Sequence, residues 1–315
     1  MRQAMTSTHR YAEVETEALR RAVAQFHGVT AEQVVLGCGS GEILRAAVDA
    51  FTGPDKKLIL ALPTFAPIAD AARRIGAAVA AIPLKQDYSH DVETMLAHSD
   101  AAAGLVYVCN PNNPTGTLTP RRDIEVLIRR LPPTSFVLID EAYHHYVGES
   151  SDYASFLDRR PDDDRVIVTR SFSKIHGLAG LRVGYAVAAP QTARLLAAHQ
   201  LPDGVNMVAA MTASAALEDV EHVRASANRN IDDRQEFFNQ ANARMLRWID
   251  SQANFVLLHT ARPAAEIVER LSQHDILVAP VPAFEKSIRV SLGIPAEMRE
   301  FWRVWDLIAG HQMSM

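Results

Sequence analysis

Short apolar runs and helix-length segments take turns along the first two thirds of this chain, and that alternation restricts the fold more than any other feature. The runs lie at residues 34–36, 57–62, 105–108, 135–139, 165–169 and 183–188, and several of their side chains are β-branched. Helical patterns occupy residues 42–51, 68–75, 123–131 and 192–200 between them. Strands buried on both faces read as continuous apolar runs, so the pattern predicts an α/β architecture with a mostly parallel sheet flanked by helices. Beyond about residue 205 the rhythm changes. Helical stretches at 207–217 and 227–245 precede short strands at 254–258, 276–278 and 287–292 and a last helix at 295–309, which predicts a smaller α+β domain. The expected division is an N-terminal segment over 1–30, a large domain over 31–205 and a small domain over 206–315.

Composition removes several functions. The 32 Lys and Arg against 37 Asp and Glu leave a net charge of −5, with neither a basic footprint for nucleic acid nor a polybasic membrane anchor. The longest apolar runs have strand length, too short to span a bilayer. The opening MRQAMTSTHRYAE has no charged region followed by an apolar one, so the expectation is a cytoplasmic protein, with a leader upstream of Met1 left open. Cys38 and Cys109 stand far apart in no metal-ligand spacing and read as buried, reduced thiols.

The stretch VVLGCGSGE, residues 34–42, places a glycine-rich turn between a strand and a helix. Such turns bring backbone N–H groups close to an anion at a helix N-terminus. The turn looks like the first motif of an S-adenosylmethionine methyltransferase. That chemistry needs an acid just before the glycines and another at the end of the next strand. Here Val34 and Val35 stand in the first place, and ALPTF carries no acid in the second. The spacing G-x-G-x-G also fails the dinucleotide fingerprint. A phosphate-binding turn is what survives.

Three more segments sit at strand ends: NPNNPTG (110–116), LIDEAYHHY (138–146) and TRSFSKIHGLAGLRVGY (169–185). Together with the glycine turn they resemble the fold-type I pyridoxal-phosphate enzymes, in the class I/II aminotransferase group and its histidinol-phosphate-aminotransferase-like branch. The resemblance runs from about Tyr11 to the C-terminus. It implies pyridoxal 5'-phosphate as cofactor, an amino donor and a 2-oxo acid as substrates, and a homodimer with shared active sites.

The resemblance also assigns residues. Lys174 would hold the cofactor as a Schiff base and then shuttle the α-proton, helped by a lowered pKa. Asp140 would keep the pyridine nitrogen protonated, while Asn113 and Tyr143 would hydrogen-bond the ring hydroxyl. Ser40, Gly41, Ser171, Ser173 and Arg182 would form the phosphate cup, arginine because its planar fork meets phosphate oxygens in pairs. Phe65 would stack on the ring, where the plainer reading is an ordinary core residue. Arg289 in SIRVSLG would clamp the substrate carboxylate, where the plainer reading is a surface arginine. Asn254 would line the substrate pocket, and Tyr11 would reach the cofactor phosphate of the partner subunit. Glu42 reads as opening a helix. His144 and His145 are adjacent and point apart, which disfavours a metal pair.

Two departures stand out. The branch carries an arginine after a small-domain strand to help hold a substrate phosphate; here HDILVAPVPAFEK puts Ala279 or Pro280 in that place, which favours an apolar or aromatic donor. The N-terminal arm that closes over the site in such proteins has no counterpart ahead of Tyr11. Open beside transamination are a lyase, decarboxylase or racemase on the same cofactor, and an inactive homologue without its lid.

Overall fold

The computed structural model describes residues 5–310. The first four residues of the opening segment therefore lie outside the described residues. Helix α1 (Glu13–His27) ends on Gly28, whose φ of 61° provides the left-handed cap. The strands of the large sheet are β1 (Val34–Gly37), β2 (Lys57–Leu62), β3 (Val79–Pro83), β4 (Ala103–Cys109), β5 (Phe136–Asp140), β6 (Val166–Ser171) and β7 (Gly184–Val187). Their order is β1-β7-β6-β5-β4-β2-β3. Strands β6, β5, β4, β2 and β3 run parallel, and β7 is antiparallel to both of its neighbours.

The parallel strands are apolar throughout because each face has its own core. Along β4, Val106 and Val108 enter one apolar cluster while Leu105, Tyr107 and Cys109 enter the other, and β5 and β6 alternate in the same way. The first cluster is closed by α1, α4 (Val92–Ala97), α5 (Arg121–Arg130) and α7 (Met207–Glu218). The second is closed by α2 (Ser40–Phe51), α3 (Pro67–Arg74) and α6 (Pro190–Ala197). Helix α7 packs Ala209, Ala210, Ala213 and Leu217 with Leu19 and Val23 of α1, inside the large-sheet core.

The second sheet has order β8-β10-β9 and is antiparallel, from β8 (Phe255–His259), β9 (Ala279–Pro280) and β10 (Ser287–Ser291). Helices α8 (Val220–Ala243), α9 (Ala264–Ser272) and α10 (Pro295–Gly310) pack on it through Phe237, Ile267, Leu271, Phe301, Trp302 and Trp305. No helix among the described residues is long and apolar enough to cross a membrane.

Four elements differ from expectation. Strand β3 and helix α4 were not anticipated, because VAAIP is alanine-rich and half exposed at the sheet edge and α4 is only six residues long. The strand expected at 276–278 forms three residues later, over Ala279–Pro280 alone. Helix α8 starts at Val220, seven residues before the expected 227, because Asp219 caps it by accepting from His222 N at 3.0 Å.

Candidate active site

Every parallel strand of the large sheet ends on the same rim, which is where open α/β sheets place ligands. Asp140 closes β5 there, 4% exposed. Its Oδ2 accepts from Tyr107 Oη and its Oδ1 from Thr169 Oγ1, both at 3.1 Å, with Ala142 N adding a bond at 3.2 Å. Burial still raises its pKa against those donors. A carboxylate held this way is short of a cation, and a pyridinium nitrogen is one chemistry that supplies it.

Lys174 lies in the loop after β6, with Nζ 5.0 Å from the centroid of the Tyr143 ring. Burial, then the nearby Arg289, lower its pKa, with Asp140 pulling the other way. Tyr143 is buried edge-on against Phe255, and burial pushes its hydroxyl pKa upward. Arg289 reaches in from β10. Its Nη1 donates to Asn113 Oδ1 at 2.8 Å, its guanidinium carbon stands 5.1 Å from the Phe255 ring, and its Nε is buried without a partner. Lys174, Tyr143, Phe255, Arg289 and Asn113 thus form one contact chain across both sheets.

Asn113 is fixed by the loop that carries it. Asn112 accepts from Thr64 at 2.8 Å and donates to Pro63 O at 3.0 Å, tying this loop to the one that bears Phe65. Gly116, at φ 74°, lies so close to Ser251 that a β-carbon would run into the serine hydroxyl, and its carbonyl accepts from Gln252 N at 2.7 Å. Phe65, Asn113 and Arg289 face a common cleft of about 400 Å³.

The proposed phosphate cup also comes together. Gly39, at φ 75°, turns the chain into α2, and a β-carbon there would collide with the guanidinium of Arg182. Arg182 donates to Ser173 Oγ at 3.3 Å, and Ser173 N donates to Ser171 Oγ at 3.1 Å. A β-carbon on Gly184 would come within 2.5 Å of Ser40 N, so β7 seats the helix start directly against the cup. Gly41 follows with open space where its side chain would be. The donor set is a helix N-terminus, three serine hydroxyls and an arginine, which suits a phosphate. Glu42 turns back to accept from Cys38 N at 2.6 Å, which stabilises the turn.

Not every singled-out residue joins this cluster. Tyr11 is 79% exposed on the surface. Asn254 neighbours Phe255 and accepts from Leu292 N through its backbone carbonyl at 2.9 Å. His144 pairs with Tyr153 Oη at 3.0 Å, and His145 stands 5.5 Å from the His176 ring. Burial pushes His145 down to about 3 and His176 to about 4. Both cysteines are free, Cys109 buried but Cys38 partly exposed, which corrects the expectation of two buried thiols.

The sequence reading missed the support behind Asp140. Tyr107 sits in an apolar strand, and Thr169 faces Asp140 in the β5–β6 register. The next acid, Glu141, forms a fully buried ion pair with Arg170 at 2.9 Å, and Ser155 Oγ binds both. The one available signal was the acid directly after Asp140 and the arginine directly before Ser171.

Comparison with known proteins agrees with this geometry. The family described as aminotransferase class I and II matches residues 1–303. The chain is 36% identical to histidinol-phosphate aminotransferase 2 of Ralstonia nicotianae over 305 residues, 94% of this chain and 80% of that protein. It is 33% identical to the histidinol-phosphate aminotransferase of Symbiobacterium thermophilum, over 95% of this chain and 82% of that one. Among solved structures, that of the Sinorhizobium meliloti histidinol-phosphate aminotransferase in complex with pyridoxal-5'-phosphate superposes with a TM-score of 0.88 at 28% identity, covering 96% of this chain and 83% of that chain. With the strand-end cluster, the glycine turn and these relatives in agreement, the chain belongs to the class I and II aminotransferases and is a pyridoxal-phosphate-dependent transaminase of fold type I.

Proposed function

We propose that this enzyme moves an amino group between an α-amino acid and a 2-oxo acid in two half-reactions, with Lys174 as the covalent anchor and proton carrier. The observation that carries the reading is the contact chain from Lys174 through Tyr143 and Phe255 to Arg289 and Asn113. Pyridoxal phosphate, when bound, supplies an electron-accepting ring and a carbonyl that takes the amino group. Asp140 is assigned to the ring nitrogen, Asn113 and Tyr143 to the ring hydroxyl, and Phe65 to one face of the ring. Ser40, Gly41, Ser171, Ser173 and Arg182 are assigned to the phosphate. The lowered pKa of Lys174 keeps a larger share of its amine unprotonated, ready to take the proton from the substrate α-carbon. Arg289 holds the substrate carboxylate, with Asn254 beside it.

The exposed Tyr11, accompanied by exposed Met5, Val14 and Phe26, supports a homodimer in which Tyr11 serves the partner's cofactor phosphate. A monomer in sedimentation would exclude that sharing. For the chemistry, the test is Lys174→Ala. It should lose the yellow absorbance of lysine-bound cofactor and slow the half-reaction with any donor by about 10⁴-fold or more. A variant that keeps both would remove Lys174 from its role.

A further inference from the structure

We propose that the preferred amino donor is an α-amino acid with an uncharged, apolar side chain, aliphatic or aromatic, and not a phosphate ester. The inference rests on the transamination reading and narrows it.

The cleft beside Asn113 has a volume of about 400 Å³, and its wall includes Leu62, Phe65, Pro114, Ala279 and Val281. Among the described residues that line it, Arg289 alone is charged. Val281 also belongs to a small buried apolar cluster with Leu257 and Ile249, with Tyr88 and Phe284 packed against it. Thr64, a polar member of the wall, has donated its hydroxyl proton to Asn112. A polar or charged side chain entering this space would lose its hydration without gaining a partner, whereas an apolar one gains from leaving water.

Arg289 itself limits the anion. One of its terminal nitrogens is held by Asn113, and Nε is buried and unpaired, which leaves room for a single forked interaction of the kind a carboxylate makes. A phosphate monoester carries about −1.5 to −2 charges near neutrality, more than one guanidinium offsets. The register gives one position from which a second cation could join Arg289. In the antiparallel pair β9–β10, Ala279 lies directly opposite Arg289, and directly opposed residues put their side chains on the same face. A methyl group, not a second cation, stands beside Arg289 there.

The test is the value of kcat/KM for the first half-reaction of the pyridoxal-phosphate-loaded enzyme, read from the loss of yellow absorbance. The donors are leucine, phenylalanine, O-phosphoserine and histidinol phosphate. Leucine or phenylalanine should exceed both phosphate donors by about tenfold or more, the discrimination an apolar pocket achieves over one or two carbon groups. Ala279→Arg should reverse the order, lowering the apolar donors and raising at least one phosphate donor by a similar factor. Ala279→Gln, close in length but uncharged, should lower the first without raising the second. Should the arginine variant not fold, the wild-type ranking and the glutamine variant still decide. A wild-type enzyme that prefers either phosphate donor overturns the donor class and leaves the transaminase reading standing. An enzyme that takes up cofactor, yet transfers from no donor in this set or any other amino acid, overturns both.

Discussion

The two sheets hold their share of the site in different ways. On the large sheet, Asp140 is set by three hydrogen bonds from Tyr107, Thr169 and Ala142, and the buried Arg170–Glu141 pair with Ser155 braces the strand ends on either side. On the small sheet, Arg289 is held by one hydrogen bond and one ring face, and its neighbour β9 is only two residues long. On the assignments proposed above, the dense side would serve the cofactor, whose shape and charge do not change from one substrate to another. The sparse side would face the substrate, where one residue such as Ala279 alters charge and volume without disturbing a network.

The largest effect that would break this contrast is at Asp140. Asp140→Ala removes one partner of a buried pair and leaves Tyr107 and Thr169 without their acceptor. The expected cost to cofactor binding is roughly 3–5 kcal/mol, read as the dissociation constant for pyridoxal phosphate by fluorescence quenching. Unchanged affinity would mean that the carboxylate only braces the strand end.

A pH measurement probes the dense side from behind. His90 is fully buried, with Nδ1 2.6 Å from Thr119 Oγ1, and Thr119 is bonded twice to Asn110 at the start of the Asn113 loop. Burial lowers its pKa from 6.5 to about 4. Above about pH 6.5 the ring is neutral in both states. As pH falls toward about 4, the unfolded chain takes up a proton that the folded chain refuses, so stability falls through that window. The full contribution is about 3 kcal/mol. Urea denaturation at several pH values should show the decline, and His90→Gln should make it shallower, with the half-buried His145 and His176 contributing to the remainder. An unchanged slope would place the proton uptake on other histidines.

The smallest effect tests the joint between the sheets. Gly116→Ala forces a side chain into Ser251 at a backbone angle of φ 74°, which costs about 1–3 kcal/mol. Because Gly116 joins the loop of Asn113 to Ser251 and Gln252 just ahead of β8, KM should rise while the yellow absorbance of bound cofactor stays. A variant that loses cofactor instead would show that the joint supports the dense side.

Much of the fold was legible in the chain because parallel strands buried on both faces have no alternative to being apolar. That is why the runs around β2, β4, β5 and β6 stood out, and why an alanine-rich, half-exposed edge strand such as β3 did not. The candidate cofactor residues were nameable because each lies at or within three residues of a strand end, so local order and resemblance sufficed to single out Asp140, Lys174 and the turn at Ser40. Tyr107, Thr169 and the Arg170–Glu141 pair were not legible. Their meaning comes from strand order and register, which bring residues 29 to 33 positions apart into hydrogen-bond contact.

By itself, then, the sequence determined the layered architecture through its hydrophobic period, which acts over a few residues, and its resemblance to a known family gave the cofactor and the strand-end candidates for holding it. The tertiary structure alone decided that Arg289 meets Asn113 across 176 residues and that Ala279 stands beside it. Such contacts depend on how two sheets are placed against one another, a property of the packed core that no local pattern encodes.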